Sequence, residues 1–277
     1  MARAFGATLQ EIIGQPIVVE NRTGGNALIA ANAALQSPAD GYTFLVDAAN
    51  HVTNPLLMRD LAFDYRRAFL PVSQLASFPQ VVAVKAGFPA QTIAAYIERA
   101  RTNPGSITYG TPPNASMGHL AGELLQQRAR IQLLHVPYRG GAEAARDIIA
   151  GSVDSVIITT SSITPAVASN RAKVLAVTSA HRAAVFPDAP TLAESGMPDF
   201  DMNDWSGLFA VAGTPRPVIE RVQTAIGEAA RSEALRSRLA PLGAEVVGSG
   251  DAEFSDFLAR SRSMLSRVIE DGRVTIN

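Results

Sequence analysis

The chain has 277 residues, of which 47% are hydrophobic and 18% charged, with a formal net charge of -1 at pH 7. This length allows one large or two medium domains with a sizeable core, and the composition excludes an intrinsically disordered chain. The balanced charge gives no basic footprint for nucleic acid, and no run approaches the roughly 18 apolar residues of a membrane span, so we expect neither nucleic acid nor direct membrane insertion.

The first residues predict the end of a helix. Phe5, Leu9 and Ile12 fall on one helical face, and Gly14 followed by Pro16 ends the pattern. The order of basic, apolar and small residues that marks a secretory signal is not found here. Since the chain starts inside a helix, we expect a preceding strand and loop to be missing from this sequence; an ordinary N-terminal helix is the alternative.

Apolar runs that suit buried strands alternate with amphipathic stretches that suit helices. The first series predicts strands at Ile17 to Glu20, Thr43 to Asp47 and Val81 to Lys85, and helices at Asn26 to Leu35 and Thr92 to Thr102. The alternation of strand and helix indicates an α/β unit.

A second α/β unit follows in the sequence. It is predicted to contain strands at Ile107 to Gly110, Leu133 to Val136, Ser155 to Thr159 and Val174 to Thr178, and helices at Ser116 to Arg128, Ala142 to Ala150 and Ile163 to Ser169. Ser116 is a favourable N-cap for the first of these helices.

The residues after Trp205 predict a mixed segment, with strands at Gly207 to Gly213 and Ala244 to Gly248 and helices at Pro217 to Arg231, Glu233 to Leu239 and Asp251 to Glu270. Because these elements lack a sheet of their own large enough to bury them, we expect the chain to return to the first lobe. The prediction is a two-lobed α/β protein with lobe 1 at residues 1–86 plus 210–277, lobe 2 at residues 87–209, crossover segments near Val84 to Pro89 and Trp205 to Ala212, and a cleft between the lobes.

The loops that follow four predicted strands share a composition. They lie at Ala48 to Pro55, Thr111 to His119, Pro137 to Gly141 and Thr160 to Thr164, and each joins small, hydroxyl or amide residues to the start of a helix. Such junctions direct backbone N–H groups and a helix dipole at an anion. The sequence therefore predicts a site that holds a small anion, carboxylates included, through neutral donors.

Catalytic and metal-binding motifs are missing from the sequence. Cysteine is absent, which removes disulfides, thiolate nucleophiles and zinc–thiolate sites. There is no G-x-S-x-G elbow, H-E-x-x-H pair, P-loop or G-x-G-x-x-G after a strand, and the four histidines are scattered. We therefore predict a protein that is not an enzyme and that needs no cofactor or metal.

Blocks along nearly the whole chain carry a family resemblance: "GQPIVVENRTGGNALIAANAALQSPADGYTFLV" (Gly14 to Val46), "NPGSITYGTPPNASMGHLAGELL" (Asn103 to Leu125), "HVPYRGG" (His135 to Gly141), "VLAVTSAHRAAVFPDAPTLAESGMPDF" (Val174 to Phe200), "WSGLFAVAGTP" (Trp205 to Pro215) and "LGAEVVGS" (Leu242 to Ser249). They resemble the Bug family, the extracytoplasmic solute receptors of tripartite tricarboxylate transporters. The resemblance implies a two-lobed, type II-like periplasmic binding protein that closes on a small carboxylate and then meets the membrane components of that transporter.

The resemblance also implies which residues contact the ligand. They are His51, Val52 and Thr53 in the first lobe and Gly110, Thr111, Asn114, Ala115, Ser116, His119, Pro137, Tyr138, Gly140, Gly141 and Thr160 in the second. Bug proteins hold carboxylates mainly through main-chain amides, hydroxyls and ordered waters, so no catalytic residue is implied. For His119 a packed structural role is the alternative, and Arg139 and Trp205 are interpreted as a solvated turn residue and a core residue.

Two departures from the family pattern affect the expected ligand. The Gly-rich loop that clamps one carboxylate in the family would precede this sequence, so a truncated, non-binding remnant is one alternative, and a solute sensor for signalling is another. Many members carry an acidic or amide pair where this chain has Thr159 to Ser162. An amino acid ligand, whose ammonium group needs an acceptor, is therefore less expected than a dicarboxylate or related organic acid.

Overall fold

A computed structural model describes residues 1–275 of the chain. The chain divides into two compact units. The first unit comprises Met1–Ser77 and Trp205–Ser266, and the second unit comprises Phe78–Asp204 and residues 267–275.

This division differs from the boundaries expected from the sequence. Residues 78–86 belong to the second unit because Gln80–Lys85 pair with strands of its sheet. Residues 205–209 belong to the first unit, where Phe209 pairs with Leu45. The segment 267–275 joins the second unit, and there the Gln127 side-chain amide donates a hydrogen bond to the Val268 carbonyl (3.1 Å).

In chain order the helices are α1 (Ala2–Ile13), α2 (Leu28–Leu35), α3 (Asn50–Leu57), α4 (Tyr65–Ala68), α5 (Ile93–Thr102), α6 (Met117–Ala129), α7 (Gly141–Ala150), α8 (Thr160–Ala168), α9 (Arg216–Arg231), α10 (Glu233–Leu239) and α11 (Asp251–Gly272). The strands are β1 (Phe44–Asp47), β2 (Phe69–Phe78), β3 (Gln80–Lys85), β4 (Thr108–Thr111), β5 (Leu134–Pro137), β6 (Ser155–Thr159), β7 (Ala172–Val177), β8 (Asp204–Val211) and β9 (Glu245–Val246). Short 3-10 helices lie at Gly25–Ala27 and Ala240–Leu242.

The first unit is built around a sheet with the strand order β1-β8-β2-β9 among the residues that the structure describes. The pairs β1–β8 and β2–β9 are antiparallel. α1 buries Phe5 and Leu9, which lie one turn apart, in a core that also holds side chains of β2, α9 and α10. This burial explains why the apolar spacing near the N-terminus forms a helix.

The second unit contains a sheet with the order β5-β4-β6-β3-β7 within residues 1–275. β4 runs parallel to β5 and β6, whereas β3 is antiparallel to β6 and β7. The apolar run Val81–Val84 is fully buried, as expected of an inner strand with both faces covered. α7 and α8 pack on this sheet through Ala144, Ile148 and Ile163.

Most elements predicted from the sequence are confirmed, with ends that differ by no more than three residues. α1 ends at Gly14, whose φ of 72° is the left-handed conformation expected of a helix-terminating glycine. The Ser116 hydroxyl accepts a hydrogen bond from the His119 N–H (3.3 Å) and caps α6. Trp205 is 2% exposed and packs against Phe254 in the core of the first unit.

The predicted strand at Ile17 to Glu20 is wrong, because these residues pair with no strand. Instead, the Ile17 N–H donates to the side chain of Gln10 in α1 (3.2 Å), and Val18 is 82% exposed. A short apolar run forms a strand only where a neighbouring strand can pair with it.

The sequence did not predict β2, α3 and α4. β2 contains Pro71 and the buried polar residues Ser73 and Gln74, which interrupt the apolar pattern expected of a buried strand. α3 contains Pro55 and was interpreted as a loop. Tertiary burial outweighs local propensity in both elements.

Candidate functional site

The carboxyl edge of the sheet in the second unit gathers the starts of three helices. β4 lies between β5 and β6 and is parallel to both, with Gly110 opposite Val136 and Val156. The carboxyl ends of these strands therefore share one edge, from which α6, α7 and α8 begin. First-turn N–H groups lack intrahelical acceptors and carry the positive end of the helix dipole, so this edge is suited to a small anion.

All predicted ligand residues of the second lobe come from the segments at this edge. They are Gly110, Thr111, Asn114, Ala115, Ser116 and His119 around the start of α6, Pro137, Tyr138, Gly140 and Gly141 before and at the start of α7, and Thr160 at the start of α8. The structure thus brings together residues that are up to 50 positions apart in the sequence, counted from Gly110 to Thr160.

Close packing holds the helix starts against the strands. A Cβ atom on Gly118 would lie 2.5 Å from the carbonyl oxygen of Ile157, and one on Gly141 would lie 2.6 Å from the Ser162 Oγ. Such distances exclude any side chain without a shift of the backbone or of its neighbours. Glycine therefore allows α6 to approach β6, and α7 to approach α8.

The segment before α7 is held by its own polar contacts. The Tyr138 hydroxyl donates to Asp147 (2.8 Å), and burial together with this hydrogen bond raises the pKa of Tyr138 to about 12. The Arg139 N–H donates to Glu143 (3.1 Å), while the Arg139 side chain is exposed. The interpretation of Arg139 as a solvated turn residue agrees with this position.

The hydroxyl groups at the start of α8 differ in whether they have a hydrogen-bond partner. The Thr159 hydroxyl lies within hydrogen-bond distance of the Ser161 Oγ (3.2 Å) and the Ser162 Oγ (2.9 Å). Thr160 is 1% exposed, and its Oγ1 has no hydrogen-bond partner within the described part of the chain. A buried hydroxyl without a partner is uncommon in folded proteins, which makes Thr160 the clearest ligand-binding candidate at this edge.

A polar network lies between α6, β4 and β5. The rings of His119 and His135 stack in parallel, with centroids 3.9 Å apart and an interplanar angle of 4°. The Tyr109 hydroxyl donates to Glu123 (3.0 Å), whose Oε1 lies 3.6 Å from the His119 Nε2. Burial and the neighbouring His119 lower the pKa of His135 to about 4, so this imidazole is neutral at physiological pH.

Contacts with His119 and Tyr109 also lower the pKa of Glu123, although burial acts in the opposite direction. The network therefore places an ionised Glu123 carboxylate and a neutral His135 imidazole in the same cluster. No local sequence pattern indicates this arrangement, because Tyr109, Glu123 and His135 come from three different elements.

The predicted residues of the first lobe lie in α3 and are buried. His51 stacks on Phe209 with centroids 3.8 Å apart, and its Nδ1 lies 3.2 Å from the Asp47 Oδ2. Val52 and Thr53 are 0% and 4% exposed. The side chains of these residues therefore form part of the core of the first unit. That these residues contact the ligand stays a prediction, and such contacts would be made by the main chain of α3.

Strained backbone lies beside α3 in the first unit. Gly24, Gly25, Asn26 and Ala27 all have positive φ, and the Asn54 side chain of α3 donates to the Asn26 carbonyl (2.7 Å). Non-glycine residues rarely adopt this conformation, and such strain often marks functional segments. The sequence signal for this feature is the Gly24–Gly25 pair, which directly precedes the predicted helix at Asn26 to Leu35.

Residues 1–275 contain no group of three or more His, Asp or Glu side chains arranged to hold a metal ion. Over the same range, each helix is too short or too polar to cross a membrane.

Comparison with known proteins identifies the family. The profile of the tripartite tricarboxylate transporter family receptor, TctC, matches residues 1–273. BugT of Bordetella pertussis is 30% identical over 261 residues, which cover 94% of this chain and 80% of BugT. The structure of Rpa4515 from R. palustris with adipate is 31% identical, with a TM-score of 0.84 and coverage of 99% of this chain and 92% of that chain.

A second solved structure, MatC from Rhodopseudomonas palustris with bound malate, is 26% identical, with a TM-score of 0.79 and coverage of 97% of this chain and 92% of that chain. Solved relatives of this fold include periplasmic binding proteins, which confirms the predicted fold class. The family match also confirms the resemblance to the Bug proteins and is a match to solute-binding receptors rather than enzymes. The chain therefore belongs to the tripartite tricarboxylate transporter receptor family, TctC.

Proposed function

We propose that this protein is a periplasmic receptor that binds a small dicarboxylate or related organic acid and delivers it to the membrane components of a tripartite tricarboxylate transporter. The observation that carries the proposal is the meeting of the α6, α7 and α8 N-termini at one sheet edge, where Thr160 has a buried hydroxyl without a partner. Helix N-termini and hydroxyl donors can bind a carboxylate at a site that has no positively charged side chain.

The relatives support this class of ligand. Rpa4515 is described with adipate and MatC with malate, and both are dicarboxylates. The family description supports the transporter as partner, and the periplasmic relatives support the location. Capture by closure of two lobes stays a prediction.

The start of α8 supports an organic acid over an amino acid. Its side chains at Thr159 to Ser162 are hydroxyls, with no carboxylate or amide among them. A ligand ammonium group would need such an acceptor to offset its desolvation. We therefore expect a ligand that carries carboxylates and hydroxyls.

Calorimetric titration and thermal unfolding with matched ligands test the proposal. Adipate and malate are expected to bind and to raise the melting temperature in a concentration-dependent way, because a ligand of the native state stabilises it. Adipamide, the neutral analogue of adipate, should not bind. Aspartate, which replaces the malate hydroxyl with an ammonium group, should bind more weakly than malate.

Two results would contradict the proposal. Binding of adipamide as tightly as adipate would show that the site does not select for anionic charge. Carboxylate binding by this chain would also be contradicted if adipate, malate, aspartate, citrate and glutamate all failed to bind and to raise the melting temperature.

A further inference from the structure

The loop before α6 has an unusual backbone conformation. Ala115 has a φ of 60°, in the left-handed region that favours glycine, and is 8% exposed. Its N–H donates a hydrogen bond to the Nδ1 of His119 (3.0 Å), four residues further on. Because Nδ1 accepts this bond, it carries no proton, and a neutral His119 holds its proton on Nε2.

The His119 ring is fixed by the rest of the protein. One face stacks on His135, and the Nε2 lies 3.6 Å from the Glu123 Oε1. Glu123 is itself held by the Tyr109 hydroxyl (3.0 Å) and by the Gln126 amide (2.9 Å). Both ring nitrogens of His119 therefore face groups of the protein.

His135 holds the other end of the same loop. Its Nε2 lies 2.7 Å from the Thr111 Oγ1, and the Thr111 hydroxyl donates to the Pro112 carbonyl (2.7 Å). A hydroxyl has one proton, so the Thr111 Oγ1 must accept from a protonated Nε2 of His135. The stacked pair thus holds Thr111 at the start of the loop and Ala115 at its end.

We propose that His119, supported by the His135 ring, is a positioning residue for carboxylate binding: it fixes the loop Thr111 to Ser116, and with it the donors at the start of α6, without touching the ligand. This inference rests on the proposed function of the same sheet edge. It assigns to His119 a different role from the direct ligand contact that the family resemblance implies.

Three substitutions at His119 separate the two ring nitrogens. In His119→Asn the side-chain oxygen can occupy the place of Nδ1 and accept the Ala115 N–H. In His119→Gln the polar group lies near the place of Nε2, and in His119→Leu both acceptors are lost. His181→Asn, at an exposed histidine of the same unit, is the control.

The first readout needs no ligand. Amide hydrogen exchange at Ala115 should be slow in the natural protein and in His119→Asn, and faster in His119→Gln and His119→Leu. Nitrogen NMR should find His119 with its proton on Nε2. Circular dichroism and thermal unfolding establish that each variant is folded, and exchange in α9 of the first unit serves as the internal reference.

The second readout is the affinity for adipate and malate. Because loss of one buried hydrogen bond typically changes an equilibrium about 10-fold, His119→Gln and His119→Leu should bind about 10-fold more weakly. His119→Asn should stay within about 3-fold of the natural protein, and His181→Asn should be unchanged.

The outcomes distinguish this inference from the proposed function. Fast exchange at Ala115 in the natural protein, a proton on the His119 Nδ1, or unchanged exchange and affinity in a folded His119→Leu would overturn the positioning role. Failure of adipate and malate to bind the natural protein would count against the proposed function, while the exchange pattern would still decide whether His119 holds the loop.

Discussion

Replacement of Thr160 by valine should change stability and ligand affinity in opposite directions. The two side chains have the same shape, and position 160 is 1% exposed. A buried hydroxyl without a partner costs about 1–3 kcal/mol, and a methyl group in its place adds about 1 kcal/mol of apolar burial. With partial relaxation of the site, we expect the unliganded variant to be about 1–2 kcal/mol more stable and to melt about 2–6 °C higher.

The affinity should fall in the same variant. A hydrogen bond from a hydroxyl to a carboxylate contributes about 1.5–3 kcal/mol, so Thr160→Val should bind adipate or malate about 10- to 100-fold more weakly. Denaturant unfolding without ligand measures the first effect, and calorimetric titration measures the second.

Thr178→Val is the matched control in the same unit. Thr178 is 0% exposed, but its hydroxyl donates to the Met202 carbonyl (2.6 Å). Its replacement should lower stability by about 1–3 kcal/mol and leave the affinity unchanged. The reasoning is refuted if Thr160→Val is destabilised like this control, or if it binds the ligand as tightly as the natural protein.

Substitutions at Ala27, Gly118 and His135 test the backbone conformation, the helix packing and the partly buried histidine. Ala27→Gly should stabilise the protein by about 0.5–1 kcal/mol in denaturant unfolding, because Ala27 has a φ of 69°. The control Ala30→Gly, inside α2, should destabilise the protein by about 1 kcal/mol. Equal effects of the two substitutions on stability would show that Ala27 is unstrained. Gly118→Ala should lower stability by about 1–3 kcal/mol and weaken ligand binding, because its Cβ would lie 2.5 Å from a backbone carbonyl of β6; an unchanged melting temperature would contradict this packing. The pKa of His135 is lowered to about 4 in the folded state, so between pH 6.5 and pH 4 the folded state binds fewer protons than the unfolded state. The free energy of unfolding should therefore fall by about 1–2 kcal/mol as the pH is lowered from 6.5 to 4, after a discount for partial exposure. His135→Gln should remove this part of the pH dependence in denaturant unfolding, while His181→Gln should not.

The strand–helix junctions could be predicted from the sequence because their signals are local. Ser116 caps α6 through a bond to a residue three positions away, and Gly14 ends α1 through its own backbone conformation. The loops after β4, β5 and β6 were predicted from small and hydroxyl residues next to helix starts. Parallel pairing then places these loops at one sheet edge, which is a consequence of topology rather than of any single motif.

The failures have tertiary causes. Val18 belongs to a continuous apolar run, but within residues 1–275 no strand pairs with it, and its side chain is 82% exposed. β2 is an inner strand although it contains polar residues, and the main-chain N–H of Gln74 donates to the hydroxyl of the distant Ser249 (3.0 Å). A local sequence pattern cannot predict a hydrogen-bond partner that lies 175 positions away.

The contacts of individual side chains were harder to predict than the grouping of the strand–helix junctions at one sheet edge. His119 lies at a ligand loop in sequence, which favours a ligand contact, but its Nδ1 accepts the Ala115 N–H. That bond depends on the left-handed conformation of Ala115, which alanine rarely adopts. The stacking with His135 requires two elements to meet and leaves no trace in either segment alone.

The proposed carboxylate site at the sheet edge should make affinity sensitive to the position of its loops. A helix N-terminus contributes about 0.3–1 kcal/mol to anion binding when exposed and up to about 2 kcal/mol when partly buried. α6, α7 and α8 together would then supply about 1–6 kcal/mol, whereas micromolar affinity requires about 8 kcal/mol. The remainder must come from hydrogen bonds to hydroxyls and backbone amides, and these bonds weaken steeply as their geometry degrades. A substitution that moves the Thr111 to Ser116 loop should therefore weaken carboxylate binding as much as the loss of the proposed donor, the Thr160 hydroxyl.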